Sequence, residues 1–520
     1  MGVADELERL EREVKSPIVL EDENSTFIAE ASDGLVEHQS GFYRRYEDKW
    51  IVAELTLLRG VEYVKTKKSV QTYSTVRPVL IFNKNGERGY QSLKKRIVEF
   101  NGRSIVLEGT SLKASLETLM SYNTVVDFLK GRTEDLKSIY HDLYERNKNF
   151  VDLDWDPRLY NLITCIQVAT YFFDVFRAFP ITFAYGPLET GKSRLVKTIT
   201  YASRKGLLWV SPTPAPIYRT IDAIRPSLGI DEFTKVYEEL LQLTRAIYKK
   251  GLLVPRMERR RDAQMFLTFF ETYTPLILSS TRELEPMTMS RTICIKMRKA
   301  RDPNPEKRDP EPWDYEDLRD RLYICRLTQA HEIDEARRQV DKECSALEGR
   351  EYEIWRPILT IANAIDEGIY EELLSLAQEL HSQKMEGIYV EEKDVLTAIK
   401  RIFDQQKTLE NQNMQELTFY PKQVSDTLFE IKAEEYGYTG KYQDLEDEKQ
   451  AERLDAQEWR EARRKFDKDY GPRRIGWILK RLGLKYKHTT KGNKYSLTRE
   501  EFDDLCKRFG LQRREEEDET

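Results

Sequence analysis

The sequence predicts a multidomain α/β protein, and three observations predict it. The chain has 520 residues, too many for one hydrophobic core and enough for about three or four domains. Between Ile181 and Met297 short apolar runs alternate with helical stretches, the order that a parallel sheet flanked by helices demands. Ahead of that core lie β-type runs punctuated by Asn-Gly turns, and behind it a helix is followed by two short strands. The expected division is a mostly β domain at 1–132, an α/β core with preceding helices and a helical lid at 133–385, linker helices and a small helix-and-strand domain at 386–512, and an acidic tail at 513–520.

In the first domain W-I-V-A-E-L-T-L-L, R-P-V-L-I-F-N-K-N-G and R-I-V-E-F-N-G-R-S-I-V-L-E-G read as strands. Asn85-Gly86 and Asn101-Gly102 favour hairpin turns, and a helix over Leu112 to Phe128 closes the unit. Thr133 to Phe179 has helical periodicity, with Ile139, Leu143, Leu162, Ile166, Tyr171 and Phe172 apolar. After the strand at Ile181, further strands are expected at Gly206 to Ser211, Pro226 to Asp231, Pro275 to Thr281 and Thr292 to Met297. Pro303 to Pro312 is a proline- and charge-rich connection, followed by helices to about Gln383. Asp444 to Asp469 reads as an exposed, charge-laced helix.

Composition narrows the setting. Hydrophobic residues make up 40% of the chain, as in a folded protein, and the 33% charged fraction implies heavily ion-paired surfaces. Cys165, Cys294, Cys325, Cys344 and Cys506 lie far apart with no C-x-x-C pair, so neither a zinc site nor a disulfide framework is expected. The reading is intracellular, cytoplasmic or nucleoid-associated. The N-terminus, M-G-V-A-D-E-L-E-R-L-E-R-E, is acidic and helical in pattern, unlike a signal peptide. The most apolar stretch, Leu159 to Tyr185, is interrupted by Asp174, Arg177 and Pro180, so a buried helix and core strand are expected and no membrane partner. The net charge of −6 does not exclude nucleic acid, because the acidic residues gather at the start, in Asp444 to Asp469 and in the tail, while basic clusters stand elsewhere.

The residues that carry chemistry begin at I-T-F-A-Y-G-P-L-E-T-G-K-S, an apolar strand running into G-x-x-x-x-G-K-S. In a strand–loop–helix setting this pattern cradles a nucleoside triphosphate: Gly186 and Gly191 free the backbone to turn amides inward, with Pro187, Leu188, Glu189 and Thr190 between them. The helix that follows aims its positive end at the phosphates. Lys192 is expected on the β- and γ-phosphates and Ser193 on Mg²⁺, with Arg194 next in the helix, which makes ATP and Mg²⁺ the expected cofactors. In P-S-L-G-I-D-E-F an apolar strand ends on two carboxylates, Asp231 to hold Mg²⁺ with Ser193 and Glu232 to polarise the attacking water. P-L-I-L-S-S-T places Ser279, Ser280 or Thr281 between the loop and the acidic strand, where a hydroxyl orients water or caps a turn. Arg291 opens the strand S-R-T-I-C-I-K-M at the domain's edge, where an arginine reaches another subunit's phosphoryl group; Arg282 is the competitor.

The run from Leu159 to Met297 resembles the AAA+ ATPase core of ring-forming replicative DNA helicases, within them the MCM-like type of archaeal plasmids, viruses and integrated elements. The supporting segments are Y-F-F-D-V-F-R-A-F-P, S-P-T-P-A-P-I-Y-R-T-I-D-A-I-R-P-S-L-G-I-D-E, S-R-T-I-C-I-K-M and I-W-R-P-I-L-T-I-A-N-A, together about half the chain. The resemblance implies catalytic roles for Lys192, Asp231 and Glu232, a sensor-1 residue at Ser280 or Thr281, Arg291 as a trans-acting finger, and Arg356 or Arg350 as sensor 2. The family's sensor 1 is usually Asn, and none stands at the end of this strand. The interval holding R-A-I-Y-K-K-G-L-L-V-P-R-M-E-R-R-R-D corresponds to a hairpin that enters the ring's channel in such helicases. Lys249, Lys250, Arg256, Arg259 and Arg260 would then track the DNA backbone there; a solvated helix face is the bland reading.

Near the C-terminus R-R-I-G-W-I-L-K-R-L-G-L-K-Y-K-H-T-T-K-G-N-K-Y-S-L-T resembles the recognition helix and wing of a winged-helix domain. Ile475, Ile478, Leu479 and Leu482 form its apolar face, and Arg473, Arg474, Lys485 and Lys494 are among its outward cations. The expectation is an ATP-driven, ring-forming DNA helicase or translocase, a hexamer on single- and double-stranded DNA, with primase partnership open. An initiator that remodels DNA without processive unwinding, and an AAA+ switch acting on proteins, are the alternatives.

Overall fold

The computed structural model describes residues 18–22, 25–29, 35–65, 70–109, 117–233, 238–259, 265–299, 308–388, 390–409, 416–438, 448–490 and 492–508. The acidic tail at 513–520, Arg260 and the acidic start of the chain lie outside the described residues. The chain is a mixed α/β protein of two compact units, Met1–His381 and Ser382–Thr520.

The first unit begins with β1 (Ile18–Asp22) paired to β2 (Ser25–Ala29), then β3 (Leu35–His38), β4 (Gly41–Tyr46), β5 (Lys49–Lys65), β6 (Val70–Lys84), β7 (Glu87–Ser92), β8 (Ile97–Phe100) and β9 (Arg103–Glu108). They form an antiparallel sheet ordered β4-β5-β6-β7 and a second sheet ordered β3-β9-β8. Asn85 and Gly86 have φ of 49° and 96°, and Asn101 and Gly102 of 52° and 70°. Two consecutive left-handed residues are what a tight hairpin turn between right-twisted strands requires, and Asn-Gly is the pair that tolerates them. The shared core is built from alternating residues such as Ile51, Ala53, Leu55, Leu80, Val98 and Ile105. β5 and β6 outrun their neighbours. Pairing to β4 stops at Glu54 and pairing to β7 starts at Val79, so from there to Lys65 and Val70 the two strands pair only with each other. Val61, Tyr63, Val64, Tyr73 and Val76 of this ribbon are exposed.

Three helices lead to the parallel sheet. α1 (Tyr122–Leu129) starts later than the expected Leu112, because the Ser121 hydroxyl accepts the Thr124 amide at 3.2 Å and caps it there; 110–116 lie outside the described residues. α2 (Leu136–Phe150) is capped by Asp135 and α3 (Arg158–Ala169) by the turn at Pro157. A tight 3-10 turn over Thr170–Val175 then delivers the buried strand β10 (Ile181–Tyr185). Alternation follows: α4 (Lys192–Ala202), β11 (Leu207–Val210), α5 (Pro214–Ile224), β12 (Leu228–Asp231), α6 (Glu238–Ile247), the antiparallel hairpin β13 (Leu253–Arg259) and β14 (Met265–Glu271), β15 (Leu276–Ser280), α7 (Pro286–Met289) and β16 (Thr292–Lys296). The five-stranded sheet is parallel throughout, ordered β11-β12-β15-β10-β16. α8 (Glu316–Glu343), α9 (Gly349–Ile365) and α10 (Glu367–Ile388) follow, and the division between the units falls in α10. No helix of the described residues is long and apolar enough to cross a membrane.

The second unit holds α11 (Val390–Leu409), β17 (Glu416–Phe419), α12 (Pro421–Lys432), α13 (Glu448–Tyr470), α14 (Pro472–Arg481), β18 (Lys485–Thr489), β19 (Gly492–Thr498) and α15 (Arg499–Arg508), with an antiparallel sheet ordered β17-β19-β18. Ile475, Ile478 and Leu479 of α14 and Leu482, which caps its C-terminal end, are buried, each worth roughly 1.5–3 kcal/mol of burial. α13 corrects the expectation of a wholly exposed helix at Asp444 to Asp469, of which 444–447 lie outside the described residues. Ala462, Phe466 and Tyr470 recur every fourth residue and are buried in this unit's core, a stripe that the surrounding charges conceal.

Candidate functional site

The loop after β10 and the first turn of α4 form one wall of a cavity of about 600 Å³, which Asp231, Glu232, Ser279, Ser280 and Thr281 close from the sheet's carboxyl edge. Gly191 has φ 80°, a left-handed conformation that turns the chain into α4. A side chain at Gly186 would place its Cβ 2.7 Å from the Met297 carbonyl, so the loop's approach to β16 excludes one. Lys192 is buried; its Nζ donates to the Pro187 carbonyl and, at 3.4 Å, faces the Thr190 hydroxyl. Burial pulls the ammonium below its ordinary pKa. The cation thus sits folded over its own loop, hydrogen-bonded to the neutral Pro187 carbonyl while the Asp231 carboxylate attracts it, where a phosphate's oxygens would bind it more directly.

β15 lies between β10 and β12, so its end separates the loop from the acidic strand. The Ser193 hydroxyl donates to Asp231 Oδ1 at 3.1 Å, and the Ser279 hydroxyl donates to the same oxygen. Glu232 has φ 57°, a left-handed backbone costing of order 1–3 kcal/mol for a non-glycine residue. That turn brings its amide to Asp231 Oδ1 and Ser279 Oγ, both at 3.1 Å. Of the three hydroxyls at and just beyond the end of β15, the one bonded to the acidic pair is therefore Ser279. Ser280 Oγ instead accepts the Arg282 amide at 3.0 Å, and Thr281 is exposed on the cavity wall. Alternation along the strand decides this, since adjacent side chains face opposite sides. Ser193 and Asp231 together offer hard oxygen donors of the kind Mg²⁺ takes when it also keeps waters and phosphate oxygens, so the residues present fit that ion.

Asp309 was not foreseen. Its carboxylate pairs with Lys197 at 2.5 Å and Arg194 at 3.4 Å on the first turns of α4 and lines the same cavity. The Lys197 ammonium, against a burial penalty, holds its carboxyl below the usual range. The only local signal was an Asp inside a proline-rich connection.

The candidate arginines stand elsewhere. Arg291 precedes β16 and sits at the amino edge of the sheet, since Thr292 pairs with Ile181 at the start of β10. The length of β10 separates it from the phosphate loop, about 13–16 Å at ~3.3 Å per residue. Its guanidinium lies 5.1 Å over the Tyr248 ring and donates to the Met287 carbonyl. Burial, and Arg350 beside it, lower its pKa. Arg350 donates to Ser290 Oγ at 2.8 Å, next to Arg291. Arg356 instead pairs with Asp341. The structure thus groups Arg350, and not Arg356, with Arg291; neither lines the cavity. Arg282 is exposed.

Of the basic residues expected on a channel hairpin, Lys249 and Lys250 precede it. Lys249 bridges by its backbone to Ala178 and pairs with Glu353; Lys250 donates its amide to the Arg177 carbonyl at 2.8 Å and faces Glu37 at 3.9 Å. They anchor the hairpin's base because strand pairing starts only at Leu253. On the hairpin itself, Arg256 lies 5.3 Å over the Tyr218 ring and Arg259 ends β13. One face of the hairpin is apolar and solvent-exposed, with Leu253, Met257, Met265, Leu267 and Phe269. In the second unit Arg473 is exposed, Arg474 pairs with Glu391 at 2.8 Å and lies 4.8 Å over Trp477, and Lys485 reaches Glu501 at 3.4 Å. Lys494 of β19 stands directly opposite Lys487 of β18. Like charges so placed repel, and an anion across them relieves the repulsion.

No protein-family model and no curated protein matches the chain. Among solved structures it is similar to one described as an active helicase, SCCmec type IV Cch, with a TM-score of 0.35 and 11% identity over 91% of this chain and 98% of that one. It is also similar to a full-length MCM homolog from Methanopyrus kandleri, with a TM-score of 0.30 and 10% identity over 64% of this chain and 76% of that one.

Proposed function

We propose that the chain is an ATP-driven DNA helicase or translocase that works as a ring of its own copies, a hexamer, on single- and double-stranded DNA. The observation that carries the reading is the convergence of Lys192, Ser193, Asp231, Glu232 and Ser279 at one edge of a parallel sheet, with Arg291, Arg350 and Arg356 outside that cavity. Bound MgATP would supply the phosphoryl group and the metal's charge. Lys192 would hold phosphate oxygens in place of the Pro187 carbonyl, Ser193 and Asp231 would hold the metal, and Glu232 would take the proton of the attacking water. Ser279 fixes the direction of the Asp231 carboxylate. Arg291 and Arg350, at the opposite edge, serve the cavity of the neighbouring copy.

DNA is met in two places. The β13–β14 hairpin offers Arg256 to phosphates and an exposed apolar face, with Phe269, to bases; Arg259 and Arg260, expected beside it from the sequence, are proposed to add phosphate contacts. The basic α14 and β18–β19 hairpin serve as a winged helix on duplex, with Arg473, Arg474, Lys485 and Lys494 toward phosphates.

Displacement of a strand from a forked DNA by the full chain with MgATP tests the reading. Displacement that stops with Glu232→Gln supports it. ATP hydrolysis without displacement, together with a footprint on one DNA site, replaces it with an initiator that remodels DNA.

A further inference from the structure

We propose that Glu54 is a positioning residue that couples the β5–β6 ribbon to the phosphate-binding helix α4; this rests on the nucleotide reading above.

Glu54 is fully buried on β5; its Oε2 accepts from Arg204 Nε at 2.9 Å and Arg326 Nε at 2.6 Å, and its Oε1 is ion-paired with Lys205 Nζ at 2.8 Å. Arg204 and Lys205 stand just beyond the C-terminal end of α4, whose first residue is Lys192. Arg326, on α8, also clamps Asp174 at 2.7 Å and donates to the Ala53 carbonyl at 3.2 Å. The Ser40 carbonyl accepts from both Arg204, at 3.0 Å, and Lys205. There is no slack in this junction: a Cβ at Gly41, whose φ is +138°, would lie 2.7 Å from the Ala53 carbonyl and 2.9 Å from the Arg204 guanidinium.

Three basic side chains thus share two buried carboxylates, and the ion pairs join the end of α4 and α8 to β5 and to Asp174 before β10. Sliding β5 against α4 would strand a buried charge, so the two elements shift together or the cluster rearranges as a whole. Both elements are rods. β5 is one unbroken strand from Lys49 to Lys65, and from Glu54 to its far end spans about 36 Å at ~3.3 Å per residue. α4 carries the cluster at one end and the phosphate loop at the other, about 16 Å away at ~1.5 Å per residue. The exposed ribbon and the nucleotide cavity are therefore the free ends of two levers that meet at Glu54.

Coupling of this kind is reciprocal, so it is read from either end. The test is amide hydrogen exchange at 51–65 and 70–84 of the full chain, with and without a magnesium complex of a non-hydrolysable ATP analogue, with analogue binding measured separately. The expected result is a change of at least about threefold in exchange rates along the ribbon on nucleotide addition. In Glu54→Gln the change disappears while analogue affinity and oligomeric state remain. Lys205→Met is the second variant, should the first not fold. A ribbon indifferent to bound analogue in the wild-type chain overturns the inference without needing either variant. So does a folded variant that transmits the change as the wild type does, which would trace it to ring assembly. A chain that binds no analogue at all refutes the nucleotide reading instead.

Discussion

The two edges of the parallel sheet are built from the same strands yet are opposite in kind. At the carboxyl edge Ser193, Ser279 and the Glu232 amide all reach Asp231, and Lys192 waits over its loop. At the amino edge Arg291 and Arg350 crowd together around Ser290, with Tyr248 beneath Arg291. One edge is equipped to hold a polyanion, and neither Arg291 nor Arg350 lines it; the other gathers these arginines beside Glu285, which Arg245 already holds. A parallel sheet cannot bring its two edges together within one chain, so on the proposed reading the complete site takes its arginine from a second copy.

Lys192→Ala should have the largest effect. It removes the cation of the carboxyl edge, and nucleotide binding and hydrolysis should both vanish in a titration with a fluorescent ATP analogue and a phosphate-release assay. Glu232→Gln should separate them: binding stays, and turnover falls by about 10²–10⁴-fold, the range of general-base catalysis. Normal turnover would break the assignment. Arg291→Ala should leave binding in place and lower turnover by roughly 10²-fold or more. Rings mixed from Arg291→Ala and Lys192→Ala chains should recover part of the activity, because some interfaces pair an intact cavity with an intact arginine. No recovery in demonstrably mixed rings would return Arg291 to a structural role. Arg350→Ala should resemble Arg291→Ala, whereas Arg356→Ala, which breaks a pair with Asp341, should lower stability more than turnover.

A smaller effect tests the second unit. Removing Arg473, Arg474 and Lys485 should weaken duplex affinity and flatten its dependence on log salt by about one unit per lost phosphate contact, with basal hydrolysis intact. The smallest is a pH effect. Burial, with Arg204 beside it, pulls Lys205 down from 10.5 to about 7. The folded state then binds fewer protons than the unfolded state between those values, so this group's contribution makes stability rise from about pH 7 toward 10.5. Melting curves of Lys205→Met should lack that rise relative to the wild type.

What could be read from the sequence was local. The phosphate loop is set by two glycines and a lysine at fixed spacing, the hairpins by Asn-Gly pairs, and the buried face of α14 by helical spacing. What could not be read depends on distant partners or on which way a side chain faces. Glu54, Asp174, Arg204 and Arg326 meet only after folding, and nothing near any of them announces the others. Ser279 differs from Ser280 only by the side of the strand it occupies. Lys249 and Lys250 look like part of a basic finger until strand pairing shows where the finger begins. Asp309 meets Arg194 and Lys197 across a gap of more than a hundred residues.

One oxygen of Asp231 faces the Ser193 hydroxyl, the Ser279 hydroxyl and the Glu232 amide. A carboxylate oxygen offers about two lone pairs, so three donors leave it no freedom to swing. The carboxylate is aimed before any ligand arrives. In water, the dipoles around a developing charge must reorient during the reaction; here that reorientation is completed once, when the chain folds. Preorganisation has its own consequence for the order of events: on the proposed reading, a cation held by Asp231 would take the place of a hydroxyl proton on an oxygen that the protein has already oriented.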